Sequence, residues 1–212
     1  MSTRNFLSPL ARLFSPTSPL TARGRARRRF NCEKQSEWDG RAETAVALLV
    51  DLCNEWLPEP RRGAEIADFG AGNERLRPLL DSQLGGEIQY HPYDLHPQLP
   101  TTERLDVSQG LPDQSFDLAL CLGLLEYLPS VPTLARDLRA HCRFALVSYV
   151  TSDSPVAIPY DDRLQHGWTS HLKGEELEAS YREAGFRMLG SGTSDGEATT
   201  LWLWAAGAQY SY

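Results

Sequence analysis

The stretch Ile66-Ala67-Asp68-Phe69-Gly70-Ala71-Gly72-Asn73-Glu74 decides the fold. A short apolar run leads into two glycines spaced two apart, and a helical segment follows. This is the pattern of a buried strand that turns sharply into a helix. Glycines at such a bend let the backbone lie close to a ligand, because neither has a Cβ in the way. Asp68, two positions before the first glycine, adds a carboxylate at the strand end.

On either side of this turn, strand and helix patterns alternate. Residues 34–57 read as a helix, with Trp38, Ala42, Ala45, Val46, Leu49, Leu52, Cys53 and Trp56 on one stripe, closed by Pro58 and Pro60. Strands are expected at 64–69, 87–93, 104–107, 118–122, 144–150, 187–190 and 199–206. Helices are expected at 73–80, 124–128, 132–141 and 173–185. Residues 96–102 and 151–167 read as loops rich in proline and polar residues. The alternation predicts an α/β fold: a Rossmann-like, seven-stranded, mostly parallel sheet with helices on both faces. The last two strands, joined through 192–196, read as an antiparallel hairpin-type edge, so the final strand is antiparallel.

The 212 residues suffice for one such domain, and 41% hydrophobic content supports a packed core. No apolar run approaches the ~20 residues that span a bilayer. Charge is unevenly spread. Residues 1–30 carry seven arginines and no acid, whereas the remainder carries 14 basic and 28 acidic residues. An acidic body argues against sequence-independent binding to nucleic acid. The expected organisation is a basic tail at 1–30 and a single domain at 31–212. The tail is read as a flexible extension. Two alternatives stay open: a surface-lying amphipathic helix through Phe6, Leu7, Leu10, Leu13 and Phe14, or a transit peptide. It has no continuous apolar segment of the secretory kind. Cys32, Cys53, Cys121 and Cys142 form no C-x-x-C and have no histidine pair at zinc spacing. No metal is therefore expected, and free thiols imply a reducing, cytoplasmic setting.

Ligands of open α/β sheets lie beyond the carboxyl ends of the strands, where the strand order reverses. Three acidic positions converge there: Asp68 at the glycine turn, Asp94 at the end of strand two and Asp106, beside Val107, at the end of strand three. An ionised carboxylate after strand two can accept both hydroxyl hydrogen bonds of a ribose. A second acid beside an apolar residue can hold an adenine. A dinucleotide would need G-x-G-x-x-G, but Arg75 stands at the third glycine. Glu74 and Asp68 would also repel a pyrophosphate. A sulfonium-bearing zwitterion suits these charges better.

On these motifs, residues 64–150 resemble a class I S-adenosylmethionine-dependent methyltransferase. The carrying residues are Ala67-Asp68-Phe69-Gly70-Ala71-Gly72, Asp94, Asp106 and the run Phe116-Asp117-Leu118-Ala119-Leu120-Cys121-Leu122-Gly123-Leu124-Leu125-Glu126-Tyr127-Leu128. The resemblance implies S-adenosylmethionine as cofactor, held by Asp68, Gly70, Ala71, Gly72, Asp94, Leu95, Asp106, Val107, Cys121 and Leu122. Where the family has its third glycine this chain has Glu74, which either reaches the amino-acid end of the cofactor or caps the next helix. Gly72-Asn73-Glu74-Arg75-Leu76, Leu125-Glu126-Tyr127-Leu128 and Gly167-Trp168 further resemble a bacterial branch associated with polysaccharide pyruvyl transferases. The implied reaction is methyl transfer to a small-molecule or glycan acceptor, at a hydroxyl. A non-catalytic binding module of the same fold is the alternative. The first choice of base is His166, next to Trp168, with Glu126, Tyr149, Asp161, Asp162 and His171 as further candidates. No Asn/Asp-Pro-Pro-aromatic run follows strand four, which argues against base or glutamine amines as acceptors.

Overall fold

The structure, a computed structural model, describes residues 35–55, 63–84, 88–156 and 158–207. The basic tail at 1–30, Cys32, Trp56 and the Pro58–Pro60 stop lie outside these residues. In chain order the elements are α1 (Gln35–Glu55), β1 (Glu65–Phe69), α2 (Arg77–Leu84), β2 (Gln89–Asp94), β3 (Glu103–Arg104), β4 (Phe116–Cys121), α3 (Val131–His141), β5 (Cys142–Tyr149), α4 (Tyr160–Gln165), α5 (Gly174–Glu183), β6 (Phe186–Ser194) and β7 (Thr199–Ala206). The seven strands form one sheet in the order β3-β2-β1-β4-β5-β7-β6. Strands β1 to β5 pair in parallel, while β7 runs antiparallel to both β5 and β6. This is the expected Rossmann-like sheet, with β7 inserted between β5 and β6.

The near-continuous apolar strands follow from burial on both faces. Side chains alternate across the sheet. Ala67, Phe69, Ala119, Cys121, Ala145 and Trp204 face the core built with α3 and α5. Ile66, Leu118, Leu120, Leu146 and Leu203 face the core built with α1 and α2. The helix α3 is capped by Ser130, whose hydroxyl accepts from Thr133 N at 3.3 Å.

Several expected boundaries move. The first turn after the glycines is not α-helical, and α2 begins at Arg77, because Glu74 adopts φ +56° and breaks the helical path. Strand three is only Glu103–Arg104; Val107–Gln109 is a 3₁₀ turn capped by Asp106, whose side chain satisfies Ser108 N at 3.1 Å. Leu125–Tyr127 is likewise a single 3₁₀ turn. The loop expected at 151–167 contains α4, and β6 extends to Ser194.

Candidate cofactor and acceptor site

The strand order reverses between β1 and β4, so the carboxyl ends of these two strands define the crevice. At that edge the glycine turn is fastened to β2: Gly70 N and Ala71 N both donate to Tyr93 O, at 2.8 and 3.0 Å. Gly70 has φ +83°, and a Cβ there would meet Leu124 Cδ1 at 3.4 Å. The loop after β4 therefore rests directly on the turn. Gly72 has φ +57°, and a Cβ there would meet nothing within 4 Å. That backbone conformation favours glycine, and the space beside it is open to a ligand.

Asp94 closes the other side. Its Oδ2 accepts from Gly72 N at 3.0 Å and its Oδ1 from His96 N at 2.7 Å. A carboxylate offers about four lone-pair sites, so two remain for ribose hydroxyls. Leu95 follows half-buried, and Leu105 N donates to Asp94 O at 2.9 Å, which sets Asp106 and buried Val107 beside it. Cys121 ends β4 and Leu122 follows it, both with packed side chains, so only their backbone can face a ligand. Burial, with Cys142 and Asp68 nearby, pushes the Cys121 thiol well above its ordinary pKa; it stays protonated and is no nucleophile. Gly123 N is held by Ser148 Oγ at 2.8 Å, a contact from β5 that no sequence pattern announces.

Asp68 is buried on the α1/α2 side, where the Tyr90 hydroxyl donates to it. Burial raises its pKa, the Tyr90 bond lowers it, and the charges of Asp94 and Glu74 raise it again; the outcome is about 7. The folded-state pKa lies above the ordinary 3.8, so the protonated acid is the form that folding favours. Stability from this group is complete below pH 4 and declines as pH rises through 7. Asp68→Asn is expected to flatten that decline between about pH 4 and 7, as read by urea unfolding at several pH values. Tyr90→Phe should move the decline to higher pH.

Glu74 turns its carboxylate onto neighbouring side chains. Its side chain is buried and accepts hydrogen bonds from the hydroxyls of Thr101 and of Thr102, the latter at 2.7 Å, and from Arg77 Nη1 at 3.4 Å. Burial pushes its pKa up, but these three donors outweigh that and hold it below the usual carboxylate range.

A second polar cluster gathers beyond β4 and β5. Glu126 is fully buried; its Oε1 accepts from Val150 N at 3.1 Å, and its backbone oxygen receives Thr169 N and Ser170 N at 2.7 and 3.1 Å. Arg163 of α4 donates to Val150 O and lies 5.1 Å from the Trp168 ring centroid. Trp168 Nε1 donates to Tyr127 Oη at 3.1 Å. Tyr149 Oη donates to Ser170 Oγ at 3.0 Å and receives Leu172 N at 2.9 Å. His166 is exposed, with its ring 5.3 Å from that of Trp168. The His171 ring lies 4.7 Å from Tyr160, and its Nδ1 is buried without a hydrogen-bond partner. Burial and the Arg163 charge push the His171 pKa down, so the ring is neutral near pH 7. Asp161 and Asp162 are exposed in the first turn of α4. Among the described residues no cluster of His, Cys, Asp or Glu could hold a metal ion, and no helix is long and apolar enough to cross a membrane.

A glycine turn at the switch point, an acid after β2 and an antiparallel β7 define a class I methyltransferase-type fold. The chain belongs to the family described as methyltransferase domain, whose model matches residues 39–190. Its cofactor is S-adenosylmethionine, and the open side of Gly72 with the free lone pairs of Asp94 fits the adenosine part. The fold is shared with a Haloferax volcanii methyltransferase in complex with the Trm112 activator, at TM-score 0.65 and 12% identity over 88% of this chain and 97% of that one. Magnesium protoporphyrin IX methyltransferase from Synechocystis, with bound S-adenosylhomocysteine, superposes at TM-score 0.60 and 15% identity, covering 93% and 99%. A Mesorhizobium loti S-adenosylmethionine-dependent methyltransferase gives 0.52 and 19%, covering 76% and 97%. No curated protein matches the sequence.

Proposed function

We propose that the protein transfers the cofactor's methyl group to a hydroxyl of a small-molecule or glycan acceptor. The observation that carries this reading is the junction of the glycine turn with Asp94, continued by the polar cluster around Glu126. The bound cofactor supplies an electrophilic methyl on a sulfonium. Asp94 and the Gly70–Gly72 backbone hold its ribose end, and Leu95, Asp106 and Val107 flank the adenine. The backbone at Cys121 and Leu122 closes the β4 side. The Asp94 carboxylate beside the turn favours a cationic, non-phosphorylated ligand. On the acceptor side, Thr169–Leu172 and α4 form a wall over the ends of β4 and β5.

A histidine of this wall takes the hydroxyl proton. His166 stands exposed beside Trp168 and is the first choice by position. His171, a neutral ring packed 4.7 Å from Tyr160, is the second candidate. The glycan option rests on the likeness to the branch associated with polysaccharide pyruvyl transferases. The free thiols of Cys121 and Cys142 suit a cytoplasmic location. The acidic body speaks against nucleic-acid acceptors.

Methyl-labelled cofactor incubated with the protein and with separated small-molecule and glycan fractions of a lysate tests the reading. Label should appear in an alkali-stable, ether-type product. Replacing the working histidine, His166→Ala or His171→Ala, should lower that transfer and leave affinity for S-adenosylhomocysteine unchanged. Binding of S-adenosylhomocysteine with no transfer to any fraction would reduce the protein to a non-catalytic cofactor-binding module.

A further inference from the structure

Glu74 combines two features that ordinarily exclude each other. It occupies the left-handed region, φ +56°, which favours glycine, and it buries an ionised carboxylate. Neither would persist without compensation, and the compensation is specific. Thr101 and Thr102 both turn their hydroxyls onto it, and Arg77 reaches it from the start of α2.

The location of these partners gives the arrangement its meaning. Thr101 and Thr102 end the proline-containing connection from β2 to β3, residues 95–102. That connection begins directly after Asp94 and ends four residues before Asp106. It holds no helix, and β3 contributes only the pairs Tyr93↔Glu103 and Asp94↔Arg104 to the sheet. The backbone ladder that fixes this edge is therefore short. The Glu74 carboxylate ties the glycine turn to it from the other side.

We infer that Glu74 is a positioning residue: its carboxylate clamps the 95–102 connection to the glycine turn, and so fixes the distance between that turn and the Asp94 and Asp106 carboxylates that meet the adenosine of the cofactor. The inference rests on the cofactor reading above. A glycine at 74 relieves the backbone strain and removes the clamp, so strain and clamp predict opposite results for one substitution.

The test compares Glu74→Gly, Glu74→Gln and the doubly substituted Thr101→Val/Thr102→Val chain. Titration calorimetry reads S-adenosylhomocysteine affinity, and amide hydrogen exchange reads residues 95–106 in the unliganded protein. Loss of buried hydrogen bonds to a charged group predicts roughly tenfold or weaker binding for Glu74→Gly and for the threonine pair, with faster exchange over 95–106. Glu74→Gln, which keeps one acceptor oxygen, should recover most of the affinity. Equal or tighter binding by Glu74→Gly overturns the inference, as does faster exchange with unchanged affinity. If Glu74→Gly fails to fold, the threonine pair carries the test alone. Full affinity in the threonine pair, with loss in both Glu74 variants, would mean that the carboxylate touches the cofactor directly, and also overturns the clamp. If the unsubstituted protein does not bind S-adenosylhomocysteine, the cofactor reading fails, and the exchange comparison still decides whether the clamp exists.

Discussion

Asp94→Ala is expected to weaken S-adenosylhomocysteine binding by about 1.5–3 kcal/mol, the cost of removing a charged hydrogen-bond acceptor from a defined site. Two losses combine in that figure. The ribose loses its acceptor, and Gly72 N and His96 N lose the partners that hold the turn in shape. Asp94→Asn should fall between the two, because one amide oxygen can still accept from Gly72 N while the amide nitrogen faces a donor at His96. Calorimetric titration of the three proteins gives this order directly. Unfolding in urea should be affected far less, since Asp94 is only half-buried and sits at a loop. A large loss of stability with unchanged affinity would remove Asp94 from the cofactor site.

The largest effect on stability is expected at Trp204, in the middle of β7. The side chain is fully buried, stacks on Tyr181 at 5.1 Å with 12° between the planes, and lies in the strand that joins β5 to the β6 edge. Trp204→Ala should cost about 3–5 kcal/mol, as for other large aromatic truncations that leave a cavity. For a domain of this size the melting temperature should fall by roughly 10 °C or more. Trp204→Phe should cost much less than its volume change suggests. The Trp204 Nε1 is buried without a hydrogen-bond partner, so phenylalanine removes an unsatisfied donor along with the contacts. Differential scanning calorimetry of both variants checks the order.

Much of this architecture was legible in the residues because the sheet is buried on both faces. The run from Leu118 to Leu122 could be little else than an interior parallel strand, and the turn at Gly70–Gly72 marked where the chain leaves β1. The bounds of β7, 199–206, emerge as expected. What escaped reading depends on contacts far away in sequence. The strand expected at 187–190 is the first part of β6, but its continuation to Ser194, with Gly192 among polar residues, reads as the connection to the last strand. It becomes a strand because β7 pairs along its length and α1 packs close; a Cβ on Gly192 would meet Thr44 Cγ2 at 3.1 Å. The six residues of α4 lie between Pro159 and Gly167, too short a stretch for periodicity to register.

The site divides in the same way. Asp68, the glycines and Asp94 were visible because each sits at a strand end in a spaced pattern. The partners that tune them were not. Tyr90 beside Asp68 depends on the β1/β2 register, which sets Tyr90 opposite Ile66 on the face Asp68 shares, and Thr101 and Thr102 beside Glu74 depend on how the connection after Asp94 folds back. The acceptor wall shows the same limit: Glu126 and Arg163 lie 37 positions apart, yet both bind the Val150 peptide groups. The first choice of base, in His166-Gly167-Trp168, leaves His166 exposed, whereas His171 has its Nδ1 buried.

The central claim is that the turn at Gly70–Gly72, together with Asp94, holds the adenosine of S-adenosylmethionine. Isothermal titration of the intact protein with S-adenosylhomocysteine and, separately, with NAD tests it most directly. The account predicts saturable one-to-one binding of S-adenosylhomocysteine and none of NAD, whose pyrophosphate would find Arg75 in place of the third glycine and the Asp94 carboxylate beside the turn. Binding of NAD without binding of S-adenosylhomocysteine would contradict it.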